Sequence, residues 1–392
     1  MVGPYNITIM SVRLKLRLLA EGLRIGDGVE DVLRRRGKPR LRVRSGSCGG
    51  LDLVLPDGSW VNAPVDEPFA ESSRLVLTLS DDDEELVVHD DDAPDEAHRV
   101  RVAPRPAYYG RHSRRGTRLQ QIGQLCSDRL GIGLTNGCVF WADEQTRCTF
   151  CSIGLNVLSG HEVGRKRTPD VLEVAEAALA DPVAPAAHIL LGGGTPKGPD
   201  AGALAIADAT RELKARWPHV SIYAMIAAPE RPEFVETLVD AGVDEIGINI
   251  EVFSDEAGQR YLPGKRAVGL ATHLRMLEAA VAAFDNRRGP AGPKDVGRVR
   301  SIMIAGLEPV EAVLAGVEEL AGRGVMPILT PLRPMRGTAL EQHERWPASA
   351  LWDLTERASE VAGRYGLPLG PTCLPCQANT LNLPGHPAYR DY

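Results

Sequence analysis

From about residue 125 onward the sequence alternates short apolar runs with longer stretches of helical periodicity, and this alternation constrains the fold more than any other feature. Strands are read at 130–135, His188–Leu191, Val220–Met225, Glu245–Ile250, Val299–Ile304 and Val325–Leu329. A helix starts at Thr168-Pro169-Asp170, with proline at its first position and an acid in its first turn, and runs to Ala180. Others are read at 200–216, 232–241, 267–284, 308–323 and 348–365, and Gly242, Gly324 and Gly366 end three of them. Six strand–helix units in series predict a parallel sheet. Its strands are nearly continuous apolar runs, the pattern of strands covered on both faces. In such folds ligands gather at the carboxyl ends of the strands.

Residues 1–112 have a different texture and read as a small α+β accessory domain. Val12–Leu33 is amphipathic and partly helical. Leu51–Leu55 and Trp60-Val61 flank a Pro56-Asp57-Gly58 turn. Leu75–Leu79 and Leu86–Val88 flank the acidic tip Asp81–Glu85 of a predicted hairpin. The acidic run Asp90–Asp95 reads as a solvated loop. Residues 113–124 form a basic linker, 125–370 the strand–helix region, and 371–392 a C-terminal tail. The segment Asn286–Arg298, rich in Gly, Pro and charge, reads as a surface loop.

Cys138, Cys148 and Cys151 follow the first strand, with nine residues between the first two and Thr149-Phe150 before the last. Three thiolates on one loop suit an iron–sulfur cubane with one iron left open. A structural zinc loop is the competing reading, with Cys373 and Cys376 available to complete four ligands.

The loop resembles that of the radical S-adenosylmethionine (radical SAM) superfamily, whose three cysteines follow the first barrel strand and end in Cys-x-aromatic-Cys. Its commonest spacing has three residues where this chain has nine, a departure shared by some members. The resemblance implies a partial (β/α)6 TIM-like barrel over residues 125–370. It implies a [4Fe-4S] cluster on Cys138, Cys148 and Cys151, and S-adenosylmethionine (SAM) at the open iron. Reductive cleavage of SAM would then give a 5′-deoxyadenosyl radical that abstracts hydrogen from a substrate.

By the same resemblance, Phe150 packs near the adenine, and Gly192-Gly193-Gly194-Thr195 stands where the family binds the SAM amine, without its acidic third residue. Asn249 and Glu251, on one side of the fourth strand's end, are similar to residues that bond the ribose. Arg260, Lys265 and Arg266 are candidates for the cation near the SAM carboxylate. Gly306 and Leu307 lie in a segment like the family's adenine support, with Ile302 replacing its first glycine. The proline-rich stretch after the sixth strand resembles the biotin-synthase-like branch, and Arg333 and Arg336 there are candidates for a substrate carboxylate or phosphate. An electron donor such as flavodoxin or ferredoxin is implied as partner.

Cys373-Leu374-Pro375-Cys376 leaves three readings open: an auxiliary iron–sulfur cluster with Cys126 as a further ligand, a hydrogen-donating or redox thiol pair, or a structural role without metal. Cys48 reads as inert. The tail also resembles a little-characterised radical SAM subfamily encoded beside nitrilase-like genes, which hints at small-molecule metabolism.

A net charge of −7 gives no global attraction to nucleic acid or anionic membrane. The basic stretch Arg111–Arg118 carries no aromatic residue to stack on bases. No apolar run reaches membrane-span length, and residues 1–6 lack the build of a signal peptide. The expected compartment is the cytoplasm, where seven cysteines favour metal over disulfides. Two further functions stay open: a radical SAM enzyme acting on a peptide bound by residues 1–112, and a non-catalytic binding protein stabilised by zinc.

Overall fold

The computed structural model describes residues 4–35, 49–80, 85–292 and 295–390. It begins with helices α1 (Pro4–Glu21) and α2 (Val29–Arg35), separated by the two-residue strand β1 (Arg24–Ile25). The amphipathic stretch 12–33 is therefore two helices. The break falls at Gly22, where φ is +78° and a Cβ would stand 2.6 Å from that of Ala70. β2 (Leu51–Val54) and β3 (Trp60–Ala63) form the first expected hairpin; β4 (Leu75–Leu79) and β5 (Leu86–Asp90) form the second. The tip, 81–84, lies outside the described residues, as does Cys48.

The acidic run 90–95 is not a loop throughout. Only Asp91 and Asp92 turn, and β6 (Ala93–Val102) starts directly after them. Pairing with β5 and β2 overrides the weak strand propensity of this sequence, and Val100 and Val102 reach the core. The sheet order is β1-β4-β5-β6-β2-β3, over a core that includes Leu18, Leu23, Leu53, Leu77 and Val88.

The basic linker has structure of its own: α3 (Leu119–Ile122) leads into β7 (Gln124–Cys126). Six parallel strands follow: β8 (Arg129–Thr135), β9 (His188–Gly193), β10 (Ser221–Ile226), β11 (Glu245–Ile248), β12 (Val299–Ala305) and β13 (Met326–Pro331). They lie in the order β13-β12-β11-β10-β9-β8-β7, with β7 antiparallel at the edge. The connections carry α4 (Ile153–Leu158), α5 (Thr168–Leu179), α6 (Ala203–Arg216), α7 (Glu233–Asp240), α8 (Asp255–Tyr261), α9 (Pro263–Val268), α10 (Leu270–Arg288) and α11 (Val310–Gly322). α12 (Ala348–Gly363) follows β13. The expected surface loop 286–298 is shorter than read, because α10 continues to Arg288, whose guanidinium donates to the Val243 carbonyl at 2.8 Å.

Residues from β8, β10, β12 and β13 line one internal cavity, so the mixed α/β sheet curls around it without closing. Leu130, Ile132 and Leu134 of β8 face the helices, while Gly131 and Gly133 leave room inside. The tail runs along β13: Leu381 N–H donates to Leu329 O at 2.8 Å, and Thr330 Oγ1 to Asn379 O at 2.9 Å. β3 lies against the tail's short helix, Pro375–Asn379, and Lys15 of α1 donates to Asn382 Oδ1 at 2.8 Å. No described helix is long and apolar enough to cross a membrane.

Three substitutions test this packing. Arg333 donates to Gly49 O (2.8 Å), Asn62 Oδ1 (2.8 Å) and Asn62 O (2.7 Å), joining the two sheets. Arg333→Leu strands those oxygens and should cost about 2–4 kcal/mol in urea unfolding. Arg260→Ala, at an exposed position, should change stability by less than about 0.5 kcal/mol. Burial pushes the His273 imidazole down to about 4, with Nδ1 donating to Gly269 O at 2.9 Å. The unfolded chain takes up that proton near pH 6.5, the folded chain only near pH 4. The associated stability is present above about pH 6.5 and is lost, by about 3 kcal/mol, as pH falls to about 4. His273→Gln should flatten the decline over that window; an unchanged slope would show that His273 does not cause it.

Candidate active site

The cysteine loop rests on the end of β9. Strand pairing passes from Gly133↔Gly192 to Thr135↔Gly193, with a register shift between them. At Gly193 φ is +131°, and a Cβ would stand 2.2 Å from Thr135 O. At Gly194 a Cβ would meet Cys138 Cβ at 2.7 Å and Gly137 O at 2.8 Å. The glycines are thus required for contact between strand end and loop. Gly194 N–H donates to Thr135 O (2.7 Å) and Val139 N–H to Thr195 O (2.9 Å), pinning the loop.

Cys148 and Cys151 sit on a turn closed by Cys151 N–H donating to Cys148 O at 3.1 Å, and Thr149 N–H donates to Tyr261 O at 2.8 Å. Cys148 is buried among Val252, Tyr261 and Leu262, with Phe150 and Cys151 beside it. Cys138, Cys148 and Cys151 are all free thiols. Burial pushes Cys148 up to about 12 and raises Cys151, and the Lys265 ammonium opposes both shifts. A cation beside these thiols favours the ionised form that binds metal.

Lys265 is itself buried against Glu251, in an ion pair whose side chains are 16% and 9% exposed. Glu251 adopts φ +63°, a left-handed conformation that costs a non-glycine residue about 1–3 kcal/mol. Parallel bonding to β12 holds it there: its N–H donates to Ile302 O (2.9 Å), and its carbonyl accepts from Ile304 N–H (2.8 Å). Glu251 lines the internal cavity, about 440 Å³ in volume, which Phe150 and Cys151 also line.

Three buried polar atoms of cavity-lining residues make no hydrogen bond among the described residues: Asn156 Oδ1, Tyr223 Oη and Glu251 Oε2. Buried polar groups are normally satisfied, so this set marks a place for a polar ligand. Asn136 Nδ2 and Lys166 Nζ donate to Glu162 Oε2 at 2.6 and 3.2 Å beside it.

The candidates read from sequence divide into those gathered here and those placed elsewhere. Asn249 lines the cavity and accepts from Ile302 N–H at 3.2 Å. Gly306 has φ +107°, and Leu307 packs in the same cluster as Cys148. Of the three cations, Lys265 reaches the cysteines. Arg260 stacks over Tyr261 at 5.1 Å, and Arg266 donates to the carbonyls of Phe253 and Ser254. Arg333 borders the cavity but is engaged by the N-terminal sheet, and Arg336 pairs with Glu71 at 3.0 Å.

Cys126 does not join Cys373 and Cys376 as a free ligand, because it is disulfide-bonded; for that residue the preference for metal over disulfides does not hold. Asp128 and His188 take the place beside the pair. Neither shows a local motif: they flank the starts of strands 60 residues apart, and only strand pairing joins them. Asn156, Glu162 and Lys166 were missed because nothing in their spacing distinguishes them from a surface helix and loop.

Removing one partner of the buried pair exposes what it contributes. Lys265→Met should cost about 3–5 kcal/mol by leaving Glu251 uncompensated, and adding Glu251→Gln should recover much of it. Equal unfolding midpoints for the single variant and the native chain would show that the pair is not buried as described.

The donor set, the glycine cradle and the unsatisfied polar atoms fit a cluster with an adjoining polar cofactor. Residues 134–293 match the family model described as Radical SAM superfamily. Bacteriochlorophyllide c C-7(1)-hydroxylase of Chlorobaculum limnaeum is 29% identical over 145 residues, covering 37% of this chain and 33% of that protein. The match thus spans about a third of that relative's length. Among solved structures, coproporphyrinogen III oxidase (HemN) from Escherichia coli is similar with 14% identity and a TM-score of 0.34, covering 46% of this chain and 41% of that one. Methylornithine synthase (PylB) is similar with 12% identity and a TM-score of 0.42, covering 65% and 75%. Residues 134–293 thus carry a radical SAM superfamily domain, the kind of domain found in enzymes of that superfamily.

Proposed function

We propose that this protein is a radical SAM enzyme acting on a small polar molecule held inside a partial (β/α)6 barrel. The observation that carries this reading is the meeting of the three-cysteine loop with a polar cavity whose buried Asn156, Tyr223 and Glu251 atoms await partners. In it, Cys138, Cys148 and Cys151 hold a [4Fe-4S] cluster with one iron open to SAM. When bound, these groups supply a reductively generated 5′-deoxyadenosyl radical.

The chain's own residues bind, orient and exclude water. The backbone of Gly192, Gly193, Gly194 and Thr195 receives the SAM amine, and Phe150, Gly306 and Leu307 flank the adenine. Asn249 and Glu251 bond the ribose, and Lys265 offsets the charge of the thiolates and of the SAM carboxylate. Such chemistry requires a closed chamber. Residues 1–112 act as an accessory domain and 371–392 as a strap in this reading. The electron comes from a cytoplasmic donor such as a flavodoxin or ferredoxin.

Two features favour a small substrate over a peptide. The cavity volume, about 440 Å³, suits a small ligand. Among the described residues the N-terminal sheet offers little edge for strand addition: β1 has two residues, and β3 lies against the tail.

The test is anaerobic reconstitution with iron and sulfide, then SAM and a strong reductant, with 5′-deoxyadenosine read by mass spectrometry. Product is expected from the native chain and not from Cys148→Ala; a native chain that leaves SAM intact overturns the reading. Gly194→Ala should also lose most of its iron, because its Cβ displaces Cys138. Gly110→Ala, with open space at that position, should keep it.

A further inference from the structure

We propose that Asp128, His188, Cys373 and Cys376 form a mononuclear tetrahedral zinc site at the opposite end of the sheet from the three-cysteine loop. The four residues come from three separate segments. Asp128 lies in the β7–β8 turn, His188 is the first residue of β9, and the cysteines belong to the tail. One ligand atom from each lies within 4.8 Å of all the others. His188, Cys373 and Cys376 are buried, and the Asp128 side chain is 17% exposed.

The distances choose between a single ion and a cluster. Cys376 Sγ is 3.2 Å from His188 Nε2 and 3.4 Å from Asp128 Oδ1; Cys373 Sγ is 3.4 Å from both Asp128 oxygens. His188 Nε2 is 3.3 Å from Asp128 Oδ1. Tetrahedral zinc, with bonds of about 2.0–2.3 Å, separates its ligand atoms by about 3.4–3.8 Å. The observed spacings of 3.2–3.4 Å sit at the short edge of that range or just below it, close enough for one ion at the centre. A cubane instead spreads its ligands over separate irons. Among the described residues, the thiols of Cys138, Cys148 and Cys151 form no group as tight as this one.

The surroundings suit zinc as well. Cys376 N–H donates to Cys373 Sγ at 3.3 Å, a bond that supports a metal-bound thiolate. Two thiolates and a carboxylate exceed the charge of Zn²⁺ by one, and half-buried Arg129, next to Asp128 in the chain, lies within electrostatic reach of both sulfurs to balance it. The backbone presets the site: Ala187 N–H donates to Asp128 O at 2.8 Å, and Arg129 pairs with His188. Four protein ligands leave no open position, so the site is structural. It would fasten the tail, and through Lys15–Asn382 also α1, to the strand starts.

The test uses the full chain and is independent of the radical chemistry. After dialysis against EDTA, elemental analysis should find one zinc per chain, and Cys148→Ala should retain it while losing cluster iron. Cys376→Ser and His188→Gln should lower zinc to about a tenth or less. Replacement of the zinc by Co²⁺ in the native chain should give the visible bands of tetrahedral cobalt with sulfur-to-metal charge transfer. That measurement decides the matter if the variants do not fold. Iron and sulfide beyond one cluster that depend on Cys376 would overturn the proposal in favour of an auxiliary cluster. A zinc-free native chain that takes up no cobalt would overturn it in favour of a thiol pair.

Discussion

The register of one parallel strand pair, β8 against β9, sets both ends of this molecule. At the carboxyl end it lays Thr135 on Gly193 and so seats the three-cysteine loop on glycine backbone. At the amino end it pairs Arg129 with His188 and brings Asp128 alongside. A slip of one residue would turn every side chain of β8 to its other face and part both groups. The apolar residues Leu130, Ile132 and Leu134, locked into the core under the helices, forbid that slip. Ordinary hydrophobic alternation in one strand thereby fixes the geometry of two clusters of polar and sulfur ligands.

Between those ends lies a chamber in which aliphatic side chains alternate with polar ones such as Asn156, Tyr223, Asn249 and Glu251. Such a chamber gives each polar group unusual weight, since water does not screen it. The Glu251–Lys265 pair is the clearest case. A strained backbone turns Glu251 inward, β12 holds the turn, and the ammonium it retains moderates the ionisation of the thiols. The strain persists because strand pairing over-determines the conformation, and it is local to the place where the ligands meet.

The strands and the helices around the chamber were legible in the sequence because each carries its own period and its own glycine or proline punctuation. The cysteine loop was legible because its ligands are close in sequence. What could not be read depends on contacts between distant segments. β6 looks like an acidic loop until β5 and β2 pair with it. Asp128 and His188 have no neighbours in sequence that announce a ligand. Arg333 and Arg336 read as candidates for a substrate anion; their contacts with Gly49 and Asn62, and with Glu71, come from segments far away in sequence. Lys265 could not be told from Arg260 and Arg266 until α8 and α9 were placed. Arg260 lies on α8, and the turn of α9 separates Lys265, paired with Glu251, from Arg266, bonded to the Phe253 and Ser254 carbonyls.

The order of the larger sheet has an entropic consequence. From β7 to β13 every strand neighbours the one before it in sequence, so each pairing in this sheet closes only one connecting segment. The contacts that shut it are of another kind: Lys15 meets Asn382 across 367 positions, and Arg333 meets Asn62 across 271. Their loop-closure entropy is recovered only once the sheet already stands. Closure of the curled sheet by the tail and the N-terminal sheet thus carries the largest loop-closure cost among the molecule's described side-chain contacts.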